Sequence, residues 1–178
     1  VSCEKKLLSY SKNSNFTPTI LRFATAFGLS PRMRFDLTVN EFTYWLAKKN
    51  ELIVYDKDTW RPYCHVLDFA NLIEKVFLAE KKDIAFEVFN AGHSNNNATK
   101  EMLINLILRY TGDVKIIYQG DGVDKRNYKV DFSKVNKVLD FTPKYTIEKG
   151  IQEIFKEIEL GTFIDFEKNK LNYGNYEI

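Results

Sequence analysis

Cysteine, histidine and glycine are all scarce in this sequence, with two, two and eight residues in 178. Cys3 and Cys64 stand too far apart for metal-ligand spacing and read as free, buried thiols. No His/Cys/Asp cluster has ligand spacing either, so no metal is expected. No apolar run approaches the roughly 20 residues of a membrane span, and no signal peptide opens the chain. A cytoplasmic protein with no membrane contact is therefore the default reading. The sequons Asn15-Phe-Thr17 and Asn97-Ala-Thr99 carry little weight without a secretory signal. Charge of one sign is lacking too: 26 basic residues face 24 acidic ones, net +2. With no Lys/Arg block, nucleic acid is not an expected partner. There is no internal repeat and no Gly/Ser/Pro-rich linker. A glycine-rich dinucleotide fingerprint is also missing. Gly120-Asp-Gly122 follows a strand-like run but has no third glycine in place, and reads as a plain turn.

What remains is 44% hydrophobic residues in alternating strand and helix patterns, enough for one sizeable core. Residues 17–23 are β-branched and apolar on both faces, as in a buried parallel strand running to a turn at Gly28. Residues 86–90 repeat that character before Gly92. Short strands are expected at 52–55 and 114–118, with strand-like pieces at 63–66 and 127–130. Helices are expected at the start of the chain, ended by Asn13-Ser-Asn15. Others follow from an Asp36 cap through Lys48, after Asp68, from a Thr99 cap to Gly112, from an Asp131 cap through Leu139, and from Thr146 to Gly161. The Asn/Tyr-rich stretch 165–178 reads as a loosely ordered tail behind a main unit of residues 1–164. The class is α/β. Only 17–23 and 85–90 look like central parallel strands, which is little for a sheet by itself.

Arginine is selective where lysine is scattered. Of six arginines, only Arg109 lies on a helix; Arg22, Arg32, Arg34, Arg61 and Arg126 fall at strand ends or in loops. A rigid bidentate cation at such places suits a carboxylate or phosphate. The alternative for Arg61 and Arg126 is a salt bridge to Asp56, Asp58 or Asp124. His65 and Asp68 have the types of an acid/base pair but no nucleophile beside them. A backbone partner for His65 and a capping role for Asp68 are favoured.

Five motifs stand in register: Leu21-Arg-Phe-Ala-Thr-Ala-Phe-Gly28; Ser30-Pro-Arg-Met-Arg-Phe-Asp36 with Asn40; Thr59-Trp-Arg-Pro-Tyr-Cys-His-Val-Leu-Asp68; Glu87-Val-Phe-Asn-Ala-Gly92; and Asp124-Lys-Arg-Asn-Tyr-Lys-Val-Asp-Phe-Ser-Lys134. From about Val1 to Leu160 the chain resembles the extended short-chain dehydrogenase/reductases, in their NAD-dependent sugar-nucleotide epimerase/dehydratase branch, UDP-glucose 4-epimerase-like enzymes included.

That resemblance implies the C-terminal portion of a Rossmann-type fold, with few parallel strands and a small mixed α/β subdomain that holds a nucleotide sugar. It implies NAD in the intact enzyme, not bound by this chain alone. The Tyr-x-x-x-Lys pair would end its motif just before Val1, so no catalytic residue is assigned here and the chain alone is expected to be inactive. Tyr44-Trp-Leu-Ala-Lys48 and Tyr145-Thr-Ile-Glu-Lys149 match that spacing by chance. The implied partners are the nucleotide sugar and a missing N-terminal NAD-binding half; a homodimer of the intact enzyme is left open. The resemblance gives Phe23 either a nicotinamide contact or a core role. It gives Arg61 and Arg126 the diphosphate; at least one of Arg32 and Arg34, in the loop after the first strand, is expected to face the ligand, and Asn40 to hydrogen-bond it. Thr25 stands where many relatives carry an Asn that touches the sugar nucleotide. The competing reading is a stand-alone, non-catalytic nucleotide-sugar-binding or interaction module.

Overall fold

The computed structural model describes residues 2–12, 15–122 and 126–175. Asn13 and Ser14, expected to end the first helix, and Asp124, offered as an ion-pair partner, lie outside them. The chain runs α1 (Ser2–Leu8), β1 (Ile20–Phe23), β2 (Thr25–Phe27), α2 (Thr38–Ala47), β3 (Leu52–Tyr55), β4 (Trp60–His65), α3 (Val66–Leu78) and a single turn α4 (Lys81–Ile84). It continues β5 (Val88–Ala91), β6 (Asn97–Thr99), α5 (Lys100–Thr111), β7 (Ile116–Gln119), α6 (Ser133–Leu139) and α7 (Ile147–Glu159).

The two apolar runs singled out as parallel strands do pair in parallel, Ile20 opposite Val88 through Phe23 opposite Ala91. Ala24 then breaks the first run, and the chain switches sheets. Its continuation β2 pairs in parallel with β4, Thr25 opposite Tyr63, while β4 pairs antiparallel with β6. A third sheet joins β3 and β7 in parallel. The α/β class holds, with small sheets in place of one.

Three apolar clusters hold these layers. The largest joins Phe27, Val39, Leu46, Leu103, Ile104 and Ile151, bringing α2, α5 and α7 onto β2. Another joins Leu72 of α3 to Phe89, Phe132 and Val135 under the β1–β5 pair. The last gathers Phe35, Tyr44, Phe163 and Phe166 with the partly buried Tyr173. That cluster corrects the loose tail: Phe166 is fully buried, Tyr173 stacks on Phe35 at 5.8 Å, and the Tyr173 carbonyl accepts from the Phe35 N–H at 2.7 Å. Asn/Tyr composition suggested a solvated segment because its few aromatics are widely spaced, yet Phe166 and Tyr173 both pack into the cluster.

Other expectations shift for local reasons. Thr99 and Thr146 cap their helices by accepting from Met102 N and Lys149 N. Asp36 does not cap α2, because Arg34 takes both its carboxylate oxygens. Asp131 accepts from the Ser133 N–H at 3.1 Å at the start of α6. β5 starts at Val88, since Phe86 has φ of 62°, which no strand residue adopts. Residues 127–130 form no strand. Cys64 is buried but Cys3 is exposed, since α1 buries no residue. No helix among the described residues is long and apolar enough to cross a membrane.

Candidate functional site: a cleft at the carboxyl ends of β1 and β5

In open parallel sheets, ligands gather at the carboxyl ends of the strands. Here that edge opens into a cavity of about 200 Å³, walled by Phe23, Pro62, Asn90, Tyr128, Val130 and Phe132. Phe23 ends β1 with 47% of its surface exposed and its ring against Phe69, centroids 4.5 Å apart. It is therefore no core residue. Opposite it, Phe132 lies so close over Gly92 that a Cβ there would enter the ring. Glycine at position 92 is what lets this wall form.

Beside this cleft the Arg61 side chain reaches the main chain of Arg126, 65 positions away. Arg61, 9% exposed, donates through Nη1 to the carbonyl of Trp60 at 2.9 Å and to the carbonyl of Arg126. Its guanidinium also lies 5.3 Å from the centre of the Tyr128 ring. The Arg61 charge is thus fixed behind the cleft wall, while Arg126 is exposed. What sets Arg61 is the strand: β4 places its side chain against the 126–132 segment.

The other expected site residues are engaged elsewhere. Arg34 pairs in bidentate fashion with Asp36, both contacts 2.6 Å, and those hydrogen bonds hold the Asp36 carboxyl below its usual range. Arg32 donates to the Gly174 carbonyl at 3.4 Å and to Asn175 Oδ1 at 3.3 Å. Asn40 is buried in the first turn of α2: Oδ1 accepts from the Gly28 N–H at 3.0 Å and Nδ2 donates to the Arg34 carbonyl at 2.9 Å. Its amide brackets the turn that follows β2. Thr25 opens β2, half-buried, opposite Tyr63. Arg22, exposed at the cleft rim, is bound by Glu4 of α1 through two hydrogen bonds of 2.8 and 2.6 Å.

Both Tyr-x-x-x-Lys matches sit in unsuitable surroundings for a base. Burial, then Glu167, pushes the Tyr44 hydroxyl up to about 12, whereas a tyrosinate base needs a lowered value. Tyr145 stacks on His65 at 4.2 Å, and Lys149 Nζ lies over the Tyr145 ring at 4.1 Å instead of beside its hydroxyl. His65 caps α3, with Nδ1 accepting from Leu67 N at 3.2 Å. Asp68 was expected as that cap. Its oxygens instead accept from the N–H groups of Lys144 at 2.9 Å and Tyr145 at 3.0 Å, tying the approach to α7 onto α3. No group of three potential metal ligands occurs among the described residues.

The sequence profile of the NAD dependent epimerase/dehydratase family matches residues 1–92, more than half of the chain. The chain belongs to that family. An uncharacterized protein of Methanocaldococcus jannaschii is 32% identical over 137 residues, covering 74% of this chain and 40% of that protein. The UDP-glucuronate 4-epimerase of Thermodesulfobacterium geofontis is 25% identical over 153 residues, covering 83% and 45%. Among solved structures, the Thermotoga maritima UDP-glucose 4-epimerase with UDP-glucose superposes with a TM-score of 0.77 at 24% identity, over 90% of this chain and 52% of that one. The Bacillus anthracis dTDP-glucose 4,6-dehydratase in complex with NAD gives 0.73 at 27% identity, over 96% and 51%. The chain spans about half the length or less of these relatives.

The family's motifs made β1, β5 and Arg61 legible. Tyr128 and Phe132, which wall the cleft, were not read as site residues, although both lie in the Arg126 motif. An aromatic two positions after Arg126 was the available signal.

Proposed function

We propose that this chain is the nucleotide-sugar-binding part of an NAD-dependent nucleotide-sugar epimerase or dehydratase. The observation that carries the reading is the junction of Arg61 with Arg126 beside an aromatic cleft at the carboxyl edge of the β1–β5 pair. A nucleoside diphosphate needs fixed positive charge; Arg61 is held by two carbonyls, one of them that of Arg126, which is itself exposed. Phe23 and Tyr128 offer apolar faces on which a sugar or a nicotinamide ring can rest. For NAD this chain provides only one face, at Phe23; it has no dinucleotide fingerprint, so most of the cofactor's contacts belong to the NAD-binding half. NAD, when bound, accepts a hydride from the sugar and returns it. The task of these residues is to hold the diphosphate so that the sugar reaches that chemistry in one orientation. The dinucleotide-binding half is the partner this reading requires.

Titration of the chain with UDP and with dTDP, followed calorimetrically, tests the reading. Arg126→Ala should cost on the order of 1.5–3 kcal/mol, the worth of a charge-assisted contact, which is roughly ten- to a hundredfold in Kd. Unchanged affinity for both nucleotides would remove Arg126 from the site. The same reading expects no NADH and no epimerised or dehydrated product from this chain alone with NAD and a nucleotide sugar.

A further inference from the structure

The Arg126–Asp131 segment walls the cleft without belonging to any helix or strand. Its hold on the rest of the molecule therefore has to come from particular groups. At its start, the Asn127 side chain accepts from the Trp60 N–H at 3.0 Å and the Tyr128 N–H donates to the Trp60 carbonyl at 3.3 Å. Trp60 thus turns both its backbone groups toward the segment. In an antiparallel pair, alternate residues face their N–H and C=O to the same side. Two residues along, the strand should repeat the contact, but the residue there is Pro62, which has no N–H to give.

Asn97 stands opposite Pro62 in the β4–β6 register. Its side-chain amide does what a strand residue would have done. Oδ1 accepts from the Val130 N–H at 3.0 Å and Nδ2 donates to the Val130 carbonyl at 3.0 Å. The other Nδ2 hydrogen goes to the Ser94 carbonyl at 2.9 Å, which fixes the amide in its own loop. Both amide hydrogens are thus used.

We infer that Asn97 is a positioning residue: by holding both backbone groups of Val130, including a carbonyl to which Pro62 has no N–H to donate, it keeps Val130, and with it Tyr128 and Phe132, as the preformed wall of the nucleotide-sugar cleft. The inference rests on the reading of that cleft given above. Preforming the wall spares the ligand the ordering of this segment, so affinity should depend on an amide that itself need not touch ligand.

The test pairs two readouts on Asn97→Ala and Asn97→Asp: hydrogen exchange at the Val130 amide by NMR, and calorimetric titration with UDP and dTDP. In Asn97→Ala the Val130 amide should exchange about tenfold faster or more, as expected when a local opening is eased. Nucleotide affinity should fall by about tenfold, while unfolding stays cooperative. Asn97→Asp keeps an acceptor for the Val130 N–H but sets a carboxylate oxygen against its carbonyl. It should protect the amide better than Ala does and still bind nucleotide more weakly than the parent. It also serves if the alanine variant fails to fold. Unaltered Val130 exchange in Asn97→Ala overturns the inference, as does faster exchange with unaltered affinity. A parent chain that binds neither nucleotide sinks the functional reading instead, and the hold of Asn97 on the segment is then decided by Val130 exchange alone.

Discussion

The two sides of this molecule are finished to different degrees. Around β2 and β4, helices α2, α5 and α7 close a core in which Phe27, Val39, Leu46, Leu103, Ile104 and Ile151 have no exposed surface. Around β1 and β5 the covering is one-sided. Helix α3 sends Leu72 inward against Phe89, yet its outer face carries Phe77 at 83% and Leu78 at 79% exposure. Helix α1 buries nothing, and among the described residues β1 pairs only with β5. A helix apolar on both faces and a strand with an open edge are features of elements normally covered by more protein. The sealed side carries the fold. The open side displays the surface that the proposed cofactor-binding half would cover.

The largest expected effect separates the two sides through a pair of aromatic truncations measured by urea unfolding. Phe27→Ala should cost about 3–5 kcal/mol, the usual loss for a buried phenylalanine. Phe77→Ser, made on the exposed face, should stay within about 0.5 kcal/mol. Comparable losses from the two would show that α3 is packed on both faces and that the asymmetry is false.

A smaller effect is expected at the turn joining β2 to α2. Gly28 has φ of 104°, a conformation side chains rarely adopt, and a Cβ there would collide with the His65 ring. Gly28→Ala should therefore cost roughly 1–3 kcal/mol through overpacking of the sealed side. The change should leave exchange of the β1–β5 amides near that of the parent. A destabilisation confined to β1 and β5 would instead place the weak joint on the open side.

This difference between the sides also explains what the sequence made legible. The β1 and β5 runs were readable because apolar, β-branched stretches running to a glycine turn mark parallel strands, although β1 leaves Arg22 and Phe23 exposed. Thr99, Thr146, Gly112 and Gly161 were readable as helix ends because capping is local chemistry. The site was readable in part. Arg61 and Arg126 could be paired only through the family's motif, since no local pattern relates residues 65 positions apart. Arg34 and Asn40 looked equally suited to a ligand, but their partners, Asp36 and the Gly28 turn, are near in sequence and take the same hydrogen bonds. Asp68 was misread as a cap because its true partners, the N–H groups of Lys144 and Tyr145, lie more than 70 positions away. Pro62 and Asn97 explain each other only once β4 and β6 are seen side by side.

The smallest predicted effect tests the sealed side by acid. His65 is 1% exposed, and Glu153, Asp68 and Lys149 are the charged groups that act on it. Because Nδ1 accepts from Leu67 N, the neutral ring carries its proton on Nε2. The Glu153 carboxylate is 3.2 Å from that nitrogen but out of line with its N–H, so Nε2 lacks a true hydrogen-bond partner. Burial, the largest influence, lowers the His65 pKa; Glu153 and Asp68 oppose it without reversing it. The unfolded chain therefore binds the proton more readily than the folded one, and stability rises with pH across the window between the two values. The contribution is complete above the ordinary histidine pKa of about 6.5 and is lost as pH falls below it, by about 1.4 kcal/mol for each unit that the folded value is depressed. His65→Asn keeps a side-chain acceptor suited to the helix cap and removes the titrating ring. Urea unfolding at about pH 8, 6.5 and 5 should show the parent losing stability over the lower interval and His65→Asn losing less. Equal slopes for the two proteins would mean that the acid sensitivity lies elsewhere and that the His65 ring accepts its proton without strain on the sealed core.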